Sequence, residues 1–102
     1  LNNIGTIYFE WKKYVEAKEK FQQALAIDSR FVDAHMNLGS VLGQTGDYKN
    51  AITSFQNAIR YAPDNAQAYY FIGITYANLK DKENAGKYFQ MAEKLNPSLK
   101  RP

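Results

Sequence analysis

At 102 residues, 45% hydrophobic and 23% charged, the chain has the composition of a folded domain, and it contains no apolar run near the roughly 20 residues of a bilayer span. With no cysteine it lacks a disulfide framework and any thiolate metal site, and with one histidine it lacks most imidazole metal sites and proton relays. The net charge of +3 is small, and its excess (Lys80, Lys82, Lys87, Lys94, Lys100, Arg101) is interleaved with Asp81, Glu83 and Glu93, the pattern of a solvated helix face and not of a nucleic-acid patch.

Six helices are expected in chain order. The first, 1–11, gives way at Lys12–Lys13 to a second over 14–27, where Ala17, Phe21 and Ala24 recur at three- and four-residue steps. The third, 32–45, places Ala34, Leu38, Val41, Leu42 and Thr45 at helical spacing until Gly46–Asp47 interrupts it. Asp47 reads as an N-cap whose carboxylate accepts the free amides of the fourth helix, 48–61. That helix carries Tyr48, Ala51, Ile52, Phe55, Ala58 and Ile59 and stops before Pro63, which lacks an amide hydrogen and disfavours helix in the preceding residue. Asp64 and Asn65 supply caps for the fifth, 66–79; Asp81 caps the sixth, 82–95, and Pro97 ends it.

A 34-residue step runs through these elements. It links Gly5, Gly39 and Gly73; Ala17, Ala51 and Ala85; Phe21, Phe55 and Phe89; and Ala24, Ala58 and Ala92. A fixed period of this size marks stacked units that bury their apolar faces on one another. Glycine inside a helix costs about 1 kcal/mol against alanine. Paid three times in register, that cost implies a helix contact with no room for a side chain. The units are 1–31, 32–65 and 66–97, followed by a tail at 98–102. Gly5 has only four residues before it, so the first unit is expected to be truncated at its N-terminus. Lys82, Gly86 and Glu93 stand where the middle unit has Tyr48, Ile52 and Ile59, so the third is expected to present a polar outer face, as terminal repeats do.

These residues resemble the tetratricopeptide repeat family, whose pattern is a large residue, Leu-Gly and Tyr, then Ala, Phe, Ala and Pro at set intervals. The middle unit reads His35, Leu38–Gly39, Leu42, Ala51, Phe55, Ala58, Pro63; the third reads Tyr69, Ile72–Gly73, Tyr76, Ala85, Phe89, Ala92, Pro97. The first reads Leu1, Ile4–Gly5, Tyr8, Ala17, Phe21, Ala24, with Ser29 in place of proline. The resemblance implies an all-α, right-handed superhelical solenoid of antiparallel helix pairs. It also implies that the first helix of each pair lines a concave wall where a partner's peptide binds.

By helical phase, the residues turned away from the Leu38/Leu42 stripe are Met36, Asn37, Ser40, Gly43 and Gln44. Their equivalents are Asn2, Asn3, Thr6, Phe9 and Glu10 in the first unit, and Tyr70, Phe71, Ile74, Ala77 and Asn78 in the third, with Asp33 and Gln67 near the helix starts. The candidate peptide-binding set is Asn3, Thr6, Met36, Asn37, Ser40, Gln44, Gln67, Tyr70, Phe71, Ile74 and Asn78. Chaperone-binding members of the family clamp a terminal carboxylate with Lys, Arg and Asn. The matching positions here hold Asn2, Thr6, Asn37, Gln67 and Phe71, and without a cation a carboxylate has no partner. An asparagine ladder that pairs with a peptide backbone is a second submode. Asn3 and Asn37 keep its spacing and Phe71 breaks it.

His35 shares its slot with Leu1 and Tyr69 and reads as a packing residue. No phosphate loop, nucleophile elbow or ligand cluster appears, so no enzyme activity and no cofactor are expected. The expected function is a protein-interaction scaffold that binds a peptide or helix. The alternative is a substrate-recruiting section of a larger enzyme such as a glycosyltransferase. RNA binding lacks the basic wall it needs, and no membrane insertion is expected. Self-association through the truncated N-terminal end is a further expectation, and a soluble chain, in the cytoplasm, is the expected setting.

Overall fold

The computed structural model describes residues 1–101. The helices are α1 (Asn2–Glu10), α2 (Tyr14–Ile27), α3 (Val32–Gln44), α4 (Tyr48–Tyr61), α5 (Ala66–Asn78) and α6 (Lys82–Leu95), with no strand among the described residues. α2, α4 and α6 keep their expected bounds, while α1, α3 and α5 each end one residue early because the turn begins inside the expected span. Each helix packs most extensively within its own pair (α1 on α2, α3 on α4, α5 on α6), then α2 on α3 and α4 on α5, and α1 also meets α3. The result is an all-α solenoid, with α1, α3 and α5 forming one layer and α2, α4 and α6 the other.

The glycine and phenylalanine series are the two halves of one contact. A Cβ built on Gly5 meets the Phe21 ring at 2.6 Å, one on Gly39 meets Phe55 at 2.6 Å, and one on Gly73 meets Phe89 at 2.8 Å. Each ring therefore occupies the volume that its glycine leaves open, and Ala17, Ala51 and Ala85 are buried beside it. The rings also reach the next unit, as Phe55 lies against Phe71 with centroids 5.6 Å apart. Val41, Leu42, Ile52 and Ile72 complete the buried core.

Within each pair the turn repeats as well. Lys13, Asp47 and Asp81 donate backbone N–H groups to the carbonyls of Tyr8, Leu42 and Tyr76 at 2.8, 2.9 and 2.9 Å. This closes each first helix in the Schellman manner. The residue at the left-handed position is Gly46 in the middle unit, at φ 85°, but Lys12 at φ 60° and Lys80 at φ 63° in the outer ones.

The caps differ from expectation in two places. Asp47 sits at the N-cap of α4 but makes no bond to a backbone amide; its carboxylate accepts from the Asn50 side chain at 2.9 Å instead. Asp64 does not cap α5. Asn65 does, accepting from the Ala68 N–H at 3.2 Å. Asp81 behaves as expected, accepting from the Asn84 backbone at 3.2 Å and from its side chain at 2.8 Å. At Ser29 the Asp28 carboxylate accepts the Arg30 N–H at 3.0 Å in an Asx turn, and Asn96 accepts the Ser98 N–H at 3.1 Å in the same register across Pro97, so the turn forms with or without proline.

Two junction bonds recur at the 34-residue step. His35 is buried, its Nε2–H donates to the Ser29 carbonyl at 2.8 Å, and its ring stacks on Tyr61. Tyr69 uses its hydroxyl in the same way, donating to the Pro63 carbonyl at 3.4 Å. Both tie a first helix to the end of the preceding unit. At the far end, the Arg101 guanidinium bonds Glu93 at 3.0 Å and lies over the Phe89 ring at 5.8 Å. At the near end Ile7 is 46% exposed, whereas Val41 and Thr75 in the same register are 1% and 4% exposed beneath α2 and α4.

Candidate interaction groove

The layer formed by α1, α3 and α5 is concave and carries two adjoining hollows. One, of about 480 Å³, is lined by Phe9, Ser40, Gly43, Gln44, Tyr48, Phe71, Ile74, Thr75 and Asn78, with the core residues Gly39 and Phe55. The other, of about 380 Å³, is lined by Asn2, Thr6, Asp33, Asn37, Gln67 and Phe71, together with Met36, Ser40 and Asn65. Ser40 and Phe71 border both, so the two form one groove.

The backbone dictates this arrangement. Residues four apart on a helix share a face, α1 meets α3, and residues of α1, α3 and α5 line the same hollows. The small side chains at Ser40 and Gly43 keep the floor of α3 low, while Phe71 and Ile74 raise the wall on α5. The polarity is equally one-sided. α1, α3 and α5 contain no lysine or arginine, although the chain has 13. Their only acids are Glu10 and Asp33.

Of the expected site residues, Thr6, Met36, Asn37, Ser40, Gln44, Gln67, Phe71, Ile74 and Asn78 come together here. Asn3 and Tyr70 do not, for one geometric reason. Asn37 turns back toward the preceding unit, where its amide donates to Asn2 Oδ1 at 3.1 Å. Asn3 holds the same register on α1 and so is directed away from the groove, exposed to solvent. Met36 turns the other way, toward α5. Its equivalent Tyr70 turns past the last unit and packs edge-on against Phe89, centroids 5.6 Å apart. The ladder spacing of Asn3 and Asn37 is therefore replaced by an Asn2–Asn37 pair.

The sequence reading missed Tyr48 and Asn65 as lining residues, and also Gly39, Phe55 and Thr75, which belong to the packing phase of their helices. Tyr48 shares the apolar phase of α4, and Asn65 already had a role as a cap, so neither carried a separate signal. Among the described residues no group of His, Asp and Glu could hold a metal ion. What the groove offers is shape, amide and hydroxyl hydrogen bonding, and aromatic surface.

Known proteins place the chain clearly. A family profile described as Tetratricopeptide repeat matches residues 39–99, more than half of the chain, and another described as TPR repeat matches residues 5–46. Anaphase-promoting complex subunit 6 of Arabidopsis thaliana is 27% identical over 95 residues, covering 93% of this chain and 18% of that protein. The chain thus spans under a fifth of this curated relative. The crystal structure of MamA superposes with a TM-score of 0.91 at 27% identity, covering 94% of this chain and 56% of that one. The first repeat domain of Spaghetti (RPAP3), solved with the HSP90 peptide SRMEEVD, gives a TM-score of 0.92 at 21% identity, covering 96% and 78%, a likeness of fold alone.

Proposed function

Because the chain belongs to the tetratricopeptide repeat family, we propose that it is a protein-interaction module that holds an extended peptide segment of a partner along the α1–α3–α5 groove. The observation that carries this reading is that the two hollows share Ser40 and Phe71 and draw residues from all three units, with the polar side chains Asn2, Thr6, Gln44, Gln67 and Asn78 on their borders. Thr6, Ser40, Gln44, Gln67 and Asn78 offer donors and acceptors to a peptide backbone, and Ile74 with the rim of Phe71 receives an apolar side chain. Backbone pairing supplies affinity tolerant of sequence, and the apolar seat supplies register.

Site-specific photocrosslinking in cell extract tests this. A benzoyl-phenylalanine replacing Ser40 in the groove should give discrete protein adducts, and one replacing the exposed Gln56 on α4 should not. Adducts formed from Gln56 alone would place the working surface on the other layer and sink the proposal.

A further inference from the structure

Resting on that groove reading, the next question is what kind of peptide the walls accept, and their charge is informative. All 13 lysines and arginines lie outside α1, α3 and α5. The chain is basic overall, yet its groove is a neutral-to-acidic strip. Asp33 lines the smaller hollow, is exposed, and has no ion-pair partner among the described residues. Around it the side-chain amides of Asn2, Asn37, Asn65 and Gln67 border the same hollow. An unpaired carboxylate in a hollow whose other polar side chains are neutral, and which no cation lines, suits an ammonium or guanidinium group. The adjoining hollow is of the opposite kind, with Phe9, Phe71 and Ile74 giving an apolar seat.

We propose that the groove selects a peptide segment that pairs a lysine or arginine with a nearby apolar residue, the cation seated at Asp33 and the apolar side chain against Phe71 and Ile74. Because Ser40 and Phe71 border both hollows, the two seats serve side chains only a few residues apart on one extended strand. An acidic segment is rejected, since it meets Asp33 and finds no cation on any wall helix. Asp33 also lies in the first turn of α3, where a negative charge favours the helix. The test must therefore read selectivity and not stability.

Random dodecapeptides displayed on phage are selected on the immobilised 102-residue chain. Enriched sequences are then synthesised with blocked termini and titrated by fluorescence polarisation. Ser40→Trp, which fills the groove without adding charge, identifies the groove-dependent binders; Gln44→Trp serves as a second block should the first fail to fold. The expected result is that these binders carry Lys or Arg within a few residues of an aromatic or aliphatic side chain. Asp33→Asn should then weaken them roughly two- to fivefold, the scale of one exposed ion pair. It should also erase the difference between each peptide and its Lys/Arg→Gln counterpart. Groove-dependent binders without basic enrichment, or enriched in acids, would overturn the ligand chemistry and leave the groove standing. If both tryptophan variants fold and block no selected peptide, the groove reading itself falls, and this inference with it.

Discussion

Gly39→Ala is the sharpest probe of the packing. The added Cβ lies 2.6 Å from Phe55 Cε1, 2.7 Å from Cζ and 2.8 Å from Cδ1. Ordinary carbon contacts lie near 3.5 Å, so the ring must retreat by about 0.8 Å. It has little room to do so, being buried and already packed against Phe71. Overpacking of this kind costs about 1–3 kcal/mol, and the cramped ring puts Gly39→Ala in the upper half of that range. Alanine returns about 1 kcal/mol of helix propensity. The net expectation is a loss of about 1–2 kcal/mol, or a fall in Tm of roughly 5–10 °C for a domain of this size. Gly43, one turn along α3, supplies the control: its built Cβ meets nothing within 4 Å, so Gly43→Ala should gain up to about 1 kcal/mol. Urea and thermal melts followed by far-UV circular dichroism measure both. Combining Gly39→Ala with Phe55→Leu should cost less than the two separately, because the smaller side chain relieves the clash. Gly39→Ala at least as stable as the parent, or strictly additive with Phe55→Leu, would refute the glycine–ring contact as the origin of the repeat.

Other perturbations follow from the turns and caps. Lys80→Gly and Lys12→Gly should each stabilise the fold by roughly 0.5–1 kcal/mol, because glycine adopts positive φ without the Cβ penalty that these lysines bear. Gly46→Ala, at φ 85°, should move the melt the other way. The Asn84 side-chain amide, then the Asn84 backbone N–H, hold the Asp81 carboxyl below its usual 3.8. A depressed folded-state pKa stabilises the fold above the unfolded value, and that stabilisation fades as pH falls through it. The penalty of Asp81→Ala should therefore be largest above about pH 5 and shrink steadily below pH 4, as read from urea midpoints across that range. A penalty independent of pH would mean the carboxylate charge does not contribute to the cap.

What the sequence made legible was whatever repeats. Three of the six helices keep their expected bounds, because the punctuation around α2, α4 and α6 is local and backbone-imposed. Gly5, Gly39 and Gly73 announced a close contact, but only the fold showed that its other half is the phenylalanine sixteen residues later. The caps show the limit of composition. Asp47–Asn50 and Asp81–Asn84 are the same residue pair in the same register, yet only Asp81 reaches the backbone. A modest difference in dihedrals at the cap separates them, and no residue type encodes it. The groove followed the same rule. Helical phase placed Asn3, Asn37, Met36 and Tyr70 on the inner layer, but phase cannot say whether a residue looks up or down the stack. That direction removed Asn3 and Tyr70 and brought in Asn2.

The up-or-down sense of these side chains has a combinatorial consequence. At the first seam an up-looking residue of one unit meets a down-looking residue of the next, as Asn2 meets Asn37, and at the second Met36 and Phe71, in the same registers, line one hollow. The lining of the hollows is thus set at seams and not within units, and three units make two seams. In-frame excision of residues 32–65 would leave the two outer units unchanged and the 34-residue register intact. It would also set Asn2 opposite Phe71, a pairing that exists at neither present seam. Reordering units would in this way create new groove linings without a single substitution.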